Sequence, residues 1–453
     1  MNDIPTFDLI VVGTGVAASS IASRCAEAGW KIAIVDERPF GGTCQLRGCD
    51  PKKVLRRGAE VIEAARLMQG KGIDRSDELR IDWRKLLEFK QTFTESVPET
   101  KEKSFKDSGM STFHGRAAFV DERTLEVGGQ RIQADKIALA NGSRPMPLPI
   151  DGDEHLIHSD QFMELKTLPR RLVFAGGGYI TFEFAHIAAR AGAEVTVLER
   201  SERPLGPFDA DLVGQLVERS RAAGIDVRMK AEVNRIEKSG DTFIVTATID
   251  DKQETIEADG VVHGAGRVPA TEGLELDRGG VRYDKKGIEV NEYLQSVSNP
   301  AVYAAGDIAM TDGPPLTPVA GLEGGAVATN LLEGNKKTVD YSGVPSCVFT
   351  IPPLASVGLS ESDAKEQGID CDCQFTDMSS WYLARRVNET HAAAKVLVGK
   401  QDGRILGAHL LGPECEQMIN FFAIAVRKGW TKDDLSDIVS AYPSTASYVS
   451  SLL

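Results

Sequence analysis

The sequence is poor in several features that mark particular classes of protein. Its 453 residues include seven cysteines, and aromatic residues make up 6% of the chain. Seven cysteines are few for this length and odd in number, which argues against the disulfide framework of a small secreted protein. No apolar run reaches about 18 residues, so we expect no membrane-spanning helix. The start of the sequence has no secretory pattern, and we expect a cytoplasmic protein.

An excess of positive charge is also missing. The chain has 52 Lys and Arg residues against 66 Asp and Glu, a net charge of −14 at pH 7. Phosphate backbones and anionic membranes attract basic surfaces, so we expect no nucleic acid and no membrane among the partners. A length of 453 residues predicts about three globular domains.

Glycine, by contrast, is abundant, with 44 residues, and two groups of glycines occur in the same local pattern. Each group follows an apolar strand and opens a helix, and a second strand then ends on an acidic residue. The first copy comprises strand 7–12, the loop Gly13-Thr-Gly15-Val-Ala-Ala18, a helix to about residue 28, strand 31–35 and Asp36. The second comprises strand 171–175, the loop Gly176-Gly-Gly178-Tyr179-Ile-Thr181, a helix to about residue 191, strand 194–198 and Glu199.

This pattern is typical of a dinucleotide-binding unit, and the spacing from first glycine to acid is 23 residues in both copies. The first glycine permits a tight turn, and the second lets the backbone approach a pyrophosphate at the positive end of the helix. The acid accepts hydrogen bonds from ribose hydroxyls. Two copies predict an α/β fold with two Rossmann-like nucleotide-binding domains.

Two cysteines, Cys44 and Cys49, lie in the run from Gly41 to Lys53, directly after the first copy. Residues five positions apart in a regular helix are about 8 to 9 Å apart. A disulfide needs Cα atoms within about 7 Å, so a bond between these cysteines predicts a distorted segment. The alternative is two structural thiols. Their position beside a nucleotide site favours a redox-active disulfide.

Together these residues resemble the FAD-dependent pyridine nucleotide-disulfide oxidoreductases, which include glutathione reductase, dihydrolipoamide dehydrogenase and mercuric reductase. The most specific element is GGTC followed by GC-x-P-x-K, here Gly41 to Lys53. The resemblance runs from Asp8 to about Pro443 and implies a homodimer. It also implies four segments, which are 1–147 and 269–340 for the FAD-binding domain, 148–268 for the NAD(P)-binding domain and 341–453 for an α+β dimerisation domain.

The resemblance also implies roles for individual residues. Those expected to bind FAD are Gly13, Gly15, Ala18, Asp36, Gly42, Thr43, Lys53, Gly142, Asp307, Thr317 and Ala320. Those expected to bind the nicotinamide nucleotide are Gly176, Gly178, Tyr179, Glu199, Arg200 and Gly266, with Tyr179 as a gate. Lys53 is expected to pair with Glu183 near the reactive nitrogen of the flavin, the alternative being two solvated charges. No metal site is expected.

The implied activity passes electrons from NAD(P)H through the flavin to the Cys44–Cys49 disulfide, and on to a disulfide, an oxidant or a small thiol-reactive electrophile. Cys49 would be the thiolate near the flavin, and Cys44 the thiol that attacks the substrate. We expect a helix start, Lys52 and Lys53 to lower thiol pKa values. Two alternatives stay open: a diaphorase or transhydrogenase with vestigial thiols, and a slowly cycling flavin redox sensor.

The C-terminal segment departs from the family pattern. Disulfide reductases of this group carry His-Pro-Thr and then Glu as an acid-base pair supplied by the partner subunit, whereas this chain has Tyr442-Pro-Ser and then Ser447. A phenol of pKa about 10 is a poor proton acceptor at neutral pH, while imidazole titrates near 6.5. We therefore expect substrates that need little proton delivery, such as reactive electrophiles or soft metal ions. Alternatively, another side chain supplies the proton.

Features of individual family members are also missing. Val16, Ser23 and Gly325 stand where glutathione reductases bind the carboxylates of the tripeptide, although Arg24 is adjacent. The C-terminus lacks the vicinal cysteines of mercuric reductase. Cys371 and Cys373 form a Cys-x-Cys, which we interpret as structural or incidental.

The sequence contains evidence for both NADH and NADPH as the nicotinamide cofactor. Glu199 favours the free 2′-hydroxyl of NADH, whereas Arg200 and Arg203 could hold the 2′-phosphate of NADPH. Thr181 replaces the third glycine of the NAD-type loop. We expect NADPH, with NADH possible.

Overall fold

The computed structural model describes residues 4–453. Its strands, in chain order, are β1 (Thr6–Val12), β2 (Ile32–Asp36), β3 (Ser111–His114), β4 (Ala117–Phe119), β5 (Thr124–Val127), β6 (Gln130–Leu139), β7 (Ser143–Pro145), β8 (Leu156–Ile157), β9 (Arg171–Ala175), β10 (Glu194–Leu198), β11 (Ile225–Arg228), β12 (Ala231–Ser239), β13 (Thr242–Ile249), β14 (Lys252–Ala258), β15 (Gly260–His263), β16 (Arg267–Pro269), β17 (Tyr283–Asp284), β18 (Gly287–Glu289), β19 (Val302–Ala304), β20 (Ala309–Met310), β21 (Ser346–Val348), β22 (Leu354–Gly358), β23 (Cys371–Asp377), β24 (Ala393–Gly399) and β25 (Ile405–Leu411).

The helices, in chain order, are α1 (Val16–Glu27), α2 (Gly42–Arg47), α3 (Cys49–Leu67), α4 (Trp83–Thr94), α5 (Val97–Asp107), α6 (Ser159–Phe162), α7 (Tyr179–Arg190), α8 (Ala210–Ala222), α9 (Thr317–Glu333), α10 (Glu361–Glu366), α11 (Tyr382–Arg385), α12 (Cys415–Lys428) and α13 (Lys432–Ser436). Short 3₁₀ segments add Ser76–Glu78, Asp153–His155 and Thr445–Leu452. Among residues 4–453, no helix is both long and apolar enough to cross a bilayer.

The chain forms two compact units. Unit 1 contains residues up to Lys53 together with 88–146 and 267–341, and unit 2 contains 54–87, 147–266 and 342–453. The four-segment division into FAD, nicotinamide and dimerisation domains stays a prediction.

A parallel sheet carries the first glycine loop in unit 1. Strands β3, β2, β1 and β6 run parallel in that order, and β19 pairs with the other edge of β6. Apolar residues of β1 and β2 alternate between two cores, one on each face of the sheet. A sheet buried on both faces needs apolar residues on both sides, which explains the continuous apolar runs. The loop after β1 therefore opens at the carboxyl edge of the sheet.

Unit 2 repeats this arrangement with the second glycine loop. Its parallel sheet has the order β11, β10, β9, β15 and β8. Beside it lies a three-stranded antiparallel sheet of β12, β13 and β14, which packs on the apolar core under β9. The motif analysis did not predict this antiparallel sheet, because it belongs to no nucleotide pattern.

The last part of unit 2 is an antiparallel sheet of β21, β22, β25, β24 and β23 with α12 packed against it. This agrees with the predicted α+β organisation. The α-helix α13 ends at Ser436. The β-branched pair Ile438 and Val439 that follows has low helix propensity, and Val439 is 97% exposed.

Candidate active site

The first glycine loop has the shape that a pyrophosphate requires. Gly13 has φ +107°, and a Cβ there would lie 2.4 Å from the carbonyl oxygen of Ala140. Gly15 directly precedes α1, whose first turn has no side-chain cap and no acid, so no side chain competes with an anion for its N–H groups. A Cβ on Gly42 would lie 2.4 Å from the Gly15 Cα, so only glycine lets these two backbones approach.

The acid at the end of β2 is fixed in place by the same loop. Asp36 accepts a hydrogen bond from the Thr14 hydroxyl at 2.6 Å and another from the Arg38 N–H at 2.9 Å. Thr14 in turn accepts from the Gly41 N–H at 3.1 Å. The glycine loop, the acid and the start of the cysteine segment are therefore joined by hydrogen bonds.

Several buried polar atoms of unit 1 support the fit of a bound cofactor. Gln45 Oε1, Asn141 Oδ1 and Arg144 Nε are buried and have no hydrogen-bond partner among residues 4–453. Buried polar atoms nearly always have a partner in a protein or ordered water. Gly142 has φ +71° with open space on its Cβ side. These residues fit a polar ligand such as FAD.

A carboxylate that the sequence analysis did not single out holds the Gly306–Asp307 turn. Glu323 is 1% exposed and accepts from the Gly306 N–H at 2.6 Å, from Thr311 and from Tyr341 at 2.8 Å each. Burial raises the pKa of Glu323. The predicted cofactor residue Asp307 accepts from the Ser143 hydroxyl at 2.7 Å. The only signal in the sequence was an acid inside an otherwise apolar helix.

The helix that carries the cysteines is broken between them. Helix α2 ends at Arg47, Gly48 has φ −141° and ψ −116°, and α3 begins at Cys49. A Cβ on Gly48 would lie 2.8 Å from the Thr43 carbonyl oxygen. The expected distortion is confirmed, and glycine is required at the break. Cys44 and Cys49 are both thiols in this structure, the first half-buried and the second exposed.

The two thiols hold their protons very differently. A hydrogen bond from Cys44 is the largest cause that lowers the pKa of Cys49 to about 6; partial burial opposes it, while Thr317, Lys52 and Lys53 add to it. The same hydrogen bond, followed by burial, holds the pKa of Cys44 far above its ordinary value. At neutral pH the pair is therefore a Cys49 thiolate beside a protonated Cys44. The predicted effect of both lysines on the pKa agrees with this result.

The N-terminus of α9 lies next to Cys49. The Cys49 Sγ is 3.6 Å from the hydroxyl oxygen of Thr317, the first residue of that helix. Helix α9 has 17 residues and no acid in its first turn. The positive end of a helix stabilises an adjacent anion. Thr317 therefore contacts a thiolate, in addition to its predicted contact with the cofactor.

The second glycine loop has the same geometry as the first. Gly176 has φ +103°, and a Cβ there would lie 2.7 Å from the Gly264 carbonyl oxygen. Gly178 directly precedes α7, which has no side-chain cap and no acid in its first turn. Thr181, in the place of the third glycine, is accommodated because its partner is Gly264, where a Cβ would lie 1.7 Å from the Thr181 hydroxyl. Gly264 thus provides the space that Thr181 needs where the usual motif has a glycine.

The residues after β10 bear on the choice of nicotinamide. Glu199 accepts from the N–H groups of Gly177 at 2.5 Å and Ser201 at 2.7 Å, which fixes its carboxylate at the loop. Arg203 is engaged by the carbonyls of Phe208 and Gly206. Arg200 is exposed and has no hydrogen-bond or ion-pair partner among residues 4–453. Of the two predicted phosphate-binding arginines, Arg200 is therefore the one available.

The other predicted catalytic residues lie on the expected elements. Lys53 is in the first turns of α3, and Glu183 is in α7, where it is buried and accepts from the Phe349 N–H at 3.0 Å. Tyr179 is the first residue of α7 and is 41% exposed. The pairing of Lys53 with Glu183 and the gate role of Tyr179 stay predictions.

The C-terminal segment presents Tyr442 to solvent. Its side chain is 84% exposed and lines a cavity of about 160 Å³ with Phe421, Leu435, Ile438 and Ser447. The Ser447 hydroxyl donates to the Ser444 carbonyl at 2.6 Å. Among residues 4–453, neither a carboxylate nor an imidazole lines this cavity.

Comparison with known proteins covers nearly the whole chain. The family model described as pyridine nucleotide-disulphide oxidoreductase matches residues 7–324, and that described as the dimerisation domain of the same family matches residues 344–452. Mercuric reductase of Staphylococcus aureus is 33% identical over 97% of this chain and 80% of its own length. Glutathione reductase of Burkholderia cepacia is 32% identical over 97% of each.

A third relative and one solved structure extend the comparison. Dihydrolipoyl dehydrogenase of Bacillus subtilis is 30% identical over 96% of this chain and 93% of its own length. The Cu(II) complex of RclA, an HOCl-induced flavoprotein disulfide reductase from Escherichia coli, superposes with a TM-score of 0.88 at 27% identity over 99% of both chains.

Proposed function

Because the chain belongs to the pyridine nucleotide-disulphide oxidoreductases, we propose that it uses NAD(P)H, FAD and the Cys44–Cys49 pair to reduce a small thiol-reactive oxidant or electrophile. Membership makes the chain a flavoprotein disulfide reductase-like enzyme and implies FAD and a nicotinamide cofactor. The observation that carries the proposal is the position of the Cys49 sulfur, 3.6 Å from the Thr317 hydroxyl at the start of α9, where the surroundings lower the pKa of Cys49 and raise that of Cys44.

The residues described above would hold both cofactors. The FAD pyrophosphate would lie on the loop of Gly13 and Gly15, with Asp36 at the adenosine ribose and Asp307 at the ribityl or phosphate portion. Gly176, Gly178 and Glu199 would hold the nicotinamide nucleotide. When bound, flavin and nicotinamide supply the two-electron reduction that returns the disulfide to the dithiol. The dimerisation domain supports a homodimer.

The thiols would reduce an oxidant of the type HO–X, in which X is electrophilic. The Cys44 sulfur attacks X, the X–O bond breaks, and the departing hydroxide takes the Cys44 proton as water. The Cys49 thiolate then attacks the Cys44 sulfur, a disulfide forms, and X leaves as an anion. The dithiol loses two electrons and the oxidant gains them. No external base is needed, because the leaving group carries the proton away.

An ordinary alkyl disulfide is a less suitable substrate. Its leaving group is an alkyl thiolate, whose conjugate acid has a pKa of about 8.5 and which takes up the Cys44 proton far less readily than hydroxide does, so the attack needs a separate base. The exposed phenol of Tyr442 is a poor base near neutral pH. Arg24, a candidate for a glutathione carboxylate, is engaged by the Gly325 carbonyl and the Thr329 hydroxyl in unit 1. Both observations favour a reactive oxidant over glutathione disulfide.

The relatives support this class of substrate. Two of those compared act on, or are induced by, strongly thiol-reactive species, namely a mercuric reductase and an HOCl-induced disulfide reductase. Both Hg(II) and hypohalous oxidants react directly with thiolates. Both resemblances support a small electrophile as the acceptor.

The test is steady-state oxidation of NADPH and NADH by the holoenzyme with three acceptors: glutathione disulfide, hypothiocyanous acid and Hg(II). We expect kcat/KM for hypothiocyanous acid to exceed that for glutathione disulfide by at least about 100-fold, the lower range of acid-base catalysis. Cys44→Ser should abolish turnover. Cys347→Ser, a cysteine of β21 in unit 2, is the matched control and should leave the rate unchanged.

Three outcomes would overturn the proposal. A higher kcat/KM for glutathione disulfide would show that another group supplies the proton. Full turnover in Cys44→Ser would favour a diaphorase or transhydrogenase with vestigial thiols. Reduction by NADPH without turnover on any acceptor would favour a redox sensor.

A further inference from the structure

Cys371 and Cys373 lie outside the site described above, on the outer strand β23 of the antiparallel sheet in unit 2. Alternate residues of a strand point to the same face, and their Cα atoms are about 6.6 Å apart. The two Sγ atoms are nevertheless only 3.7 Å apart. The side chains therefore converge. Cys371 is half-buried and Cys373 is exposed, so solvent ions can reach the pair.

The distance between the two sulfurs distinguishes a tetrahedral metal ion from a linearly coordinated ion and from a disulfide. Zinc–sulfur bonds are about 2.3 Å, so two thiolates on one tetrahedral ion hold their sulfurs about 3.8 Å apart. A linear sulfur–ion–sulfur arrangement with the same bond length needs about 4.6 Å. A disulfide needs about 2.05 Å. The observed 3.7 Å matches the tetrahedral arrangement with almost no movement.

The two thiols are the ligands that the protein offers at this place. Cys371 is opposite Gly399 of β24, which has no side chain to cover it. Among residues 4–453, no histidine, aspartate, glutamate or further cysteine places a ligand atom within 4.8 Å of both sulfurs. Water would therefore complete the coordination of a bound ion.

A nearby acidic cluster is a different feature and does not form the site. Asp209, Asp211 and Glu361 surround the ammonium of Lys395 at 2.9, 2.6 and 2.9 Å. The Lys395 ammonium already lies between these three carboxylates, in the place that a metal ion would take. The converging thiols are the feature that selects a soft ion, because thiolates prefer thiophilic cations.

We propose that Cys371 and Cys373 chelate one thiophilic cation of the tetrahedral Zn²⁺ type, with water as the remaining ligands. Binding converts two thiols into thiolates and releases two protons to solvent, and no electron is transferred. The sequence alone suggested an incidental pair, because a Cys-x-Cys in a strand does not reveal whether its sulfurs converge. The site is independent of the redox function of Cys44 and Cys49.

The test is equilibrium dialysis of the reduced, FAD-loaded protein against Zn²⁺ under nitrogen. Cys44→Ser/Cys49→Ser serves as the background, so that the redox thiols do not bind zinc. We expect one Zn²⁺ per chain in this background. Adding Cys371→Ser or Cys373→Ser should weaken binding by about 100-fold, because each substitution destroys the chelate. Adding Cys347→Ser, on β21 of the same sheet, is the control and should change nothing.

A second measurement uses the protein with all its cysteines. Zn²⁺ should protect Cys371 and Cys373 from alkylation by iodoacetamide, as mapped by peptide mass analysis, and should protect Cys347 far less. Zinc binding that survives both substitutions, or that is lost equally with Cys347→Ser, would overturn the proposal. Zn²⁺ binding that is as tight with one of the two cysteines as with both would show that the pair does not chelate the ion. Unchanged thermal melting of the variants excludes a folding defect.

Discussion

The thiolate sulfur of Cys49 lies 3.6 Å from the hydroxyl oxygen of Thr317, the residue that begins helix α9. This contact joins the redox pair to the positive end of a helix within unit 1. It also explains part of the low pKa of Cys49, since the Thr317 hydroxyl and the nearby lysines add to the hydrogen bond from Cys44. The redox cysteine is therefore tuned by a residue 268 positions away in the sequence.

Replacing Thr317 by valine should raise the pKa of Cys49. The substitution keeps the shape of the side chain and removes the donor to the thiolate, so we expect a rise of about one unit from the value near 6. At pH 7 the thiolate fraction would fall from about nine-tenths to about one half. The measurement is the pH dependence of Cys49 alkylation in the reduced protein, followed by peptide mass analysis.

The matched control for Thr317 is Thr329→Val, which lies about three turns further along the same helix. It should leave the alkylation midpoint of Cys49 unchanged. An unchanged midpoint in Thr317→Val would mean that the hydroxyl does not hydrogen-bond to the thiolate.

The parts of this protein that sequence reasoning predicted correctly are those encoded locally. Positive φ angles at Gly13 and Gly176 are accessible mainly to glycine, and the acids Asp36 and Glu199 stand at fixed distances from them. Continuous apolar runs mark strands buried on both faces. The nucleotide loops and their strands could therefore be placed to within one or two residues.

The parts that could not be predicted depend on residues far apart in the sequence. Thr181 is tolerated only because Gly264 faces it, and the sulfurs of Cys371 and Cys373 converge only in the folded strand. Glu63 carries a charge, and nothing local in the sequence indicates that it is buried. Such contacts are set by packing, not by local propensity.

Replacing Tyr442 by histidine should restore the missing base if the proposed function is correct. We expect kcat/KM for glutathione disulfide to rise by about 100-fold, with a pH profile that rises near 6.5 as the imidazole loses its proton. The rate with hypothiocyanous acid should change little, because that substrate removes its own proton. Steady-state kinetics with both acceptors provides the measurement.

Tyr442→Phe is the companion variant for this prediction. It removes the hydroxyl and adds no base, so both rates should stay near those of the unsubstituted enzyme. A large loss with hypothiocyanous acid in Tyr442→Phe would instead identify the phenol as a proton donor.

Arg200 should decide the preference for NADPH. Its side chain is exposed without a partner among residues 4–453, while Arg203 is engaged by loop carbonyls. Arg200→Ala should lower kcat/KM for NADPH by about tenfold, as expected for loss of one charged hydrogen bond, and leave that for NADH unchanged. Arg228→Ala, at the end of the neighbouring strand β11, is the control. A strong NADH preference before any substitution would contradict the expectation.

A buried ionic network should contribute to the stability of unit 2. Glu63 of α3 accepts from Arg190 of α7 at 3.0 Å and from Arg219 of α8, and Arg219 also donates to Glu389 at 2.9 Å. All four side chains are less than one-tenth exposed. Burial opposes ionisation of Glu63, but both arginines outweigh it and hold the pKa of Glu63 below its usual range.

Glu63→Gln should therefore destabilise the protein by about 3 to 5 kcal/mol at neutral pH, because it leaves the buried Arg190 guanidinium without its anion and Arg219 with Glu389 alone. A carboxyl with a lowered folded-state pKa stabilises above the unfolded value of about 4.3, and this stabilisation is lost as pH falls through the folded pKa. The gap between the thermal midpoints of the two proteins should consequently be widest near pH 7 and shrink as the solution is acidified well below pH 4. Glu78→Gln, in an exposed pair with Arg75, should shift the midpoint little at either pH. If Glu63→Gln and the unsubstituted chain had the same thermal midpoint at pH 7, the buried charges would contribute no net stability.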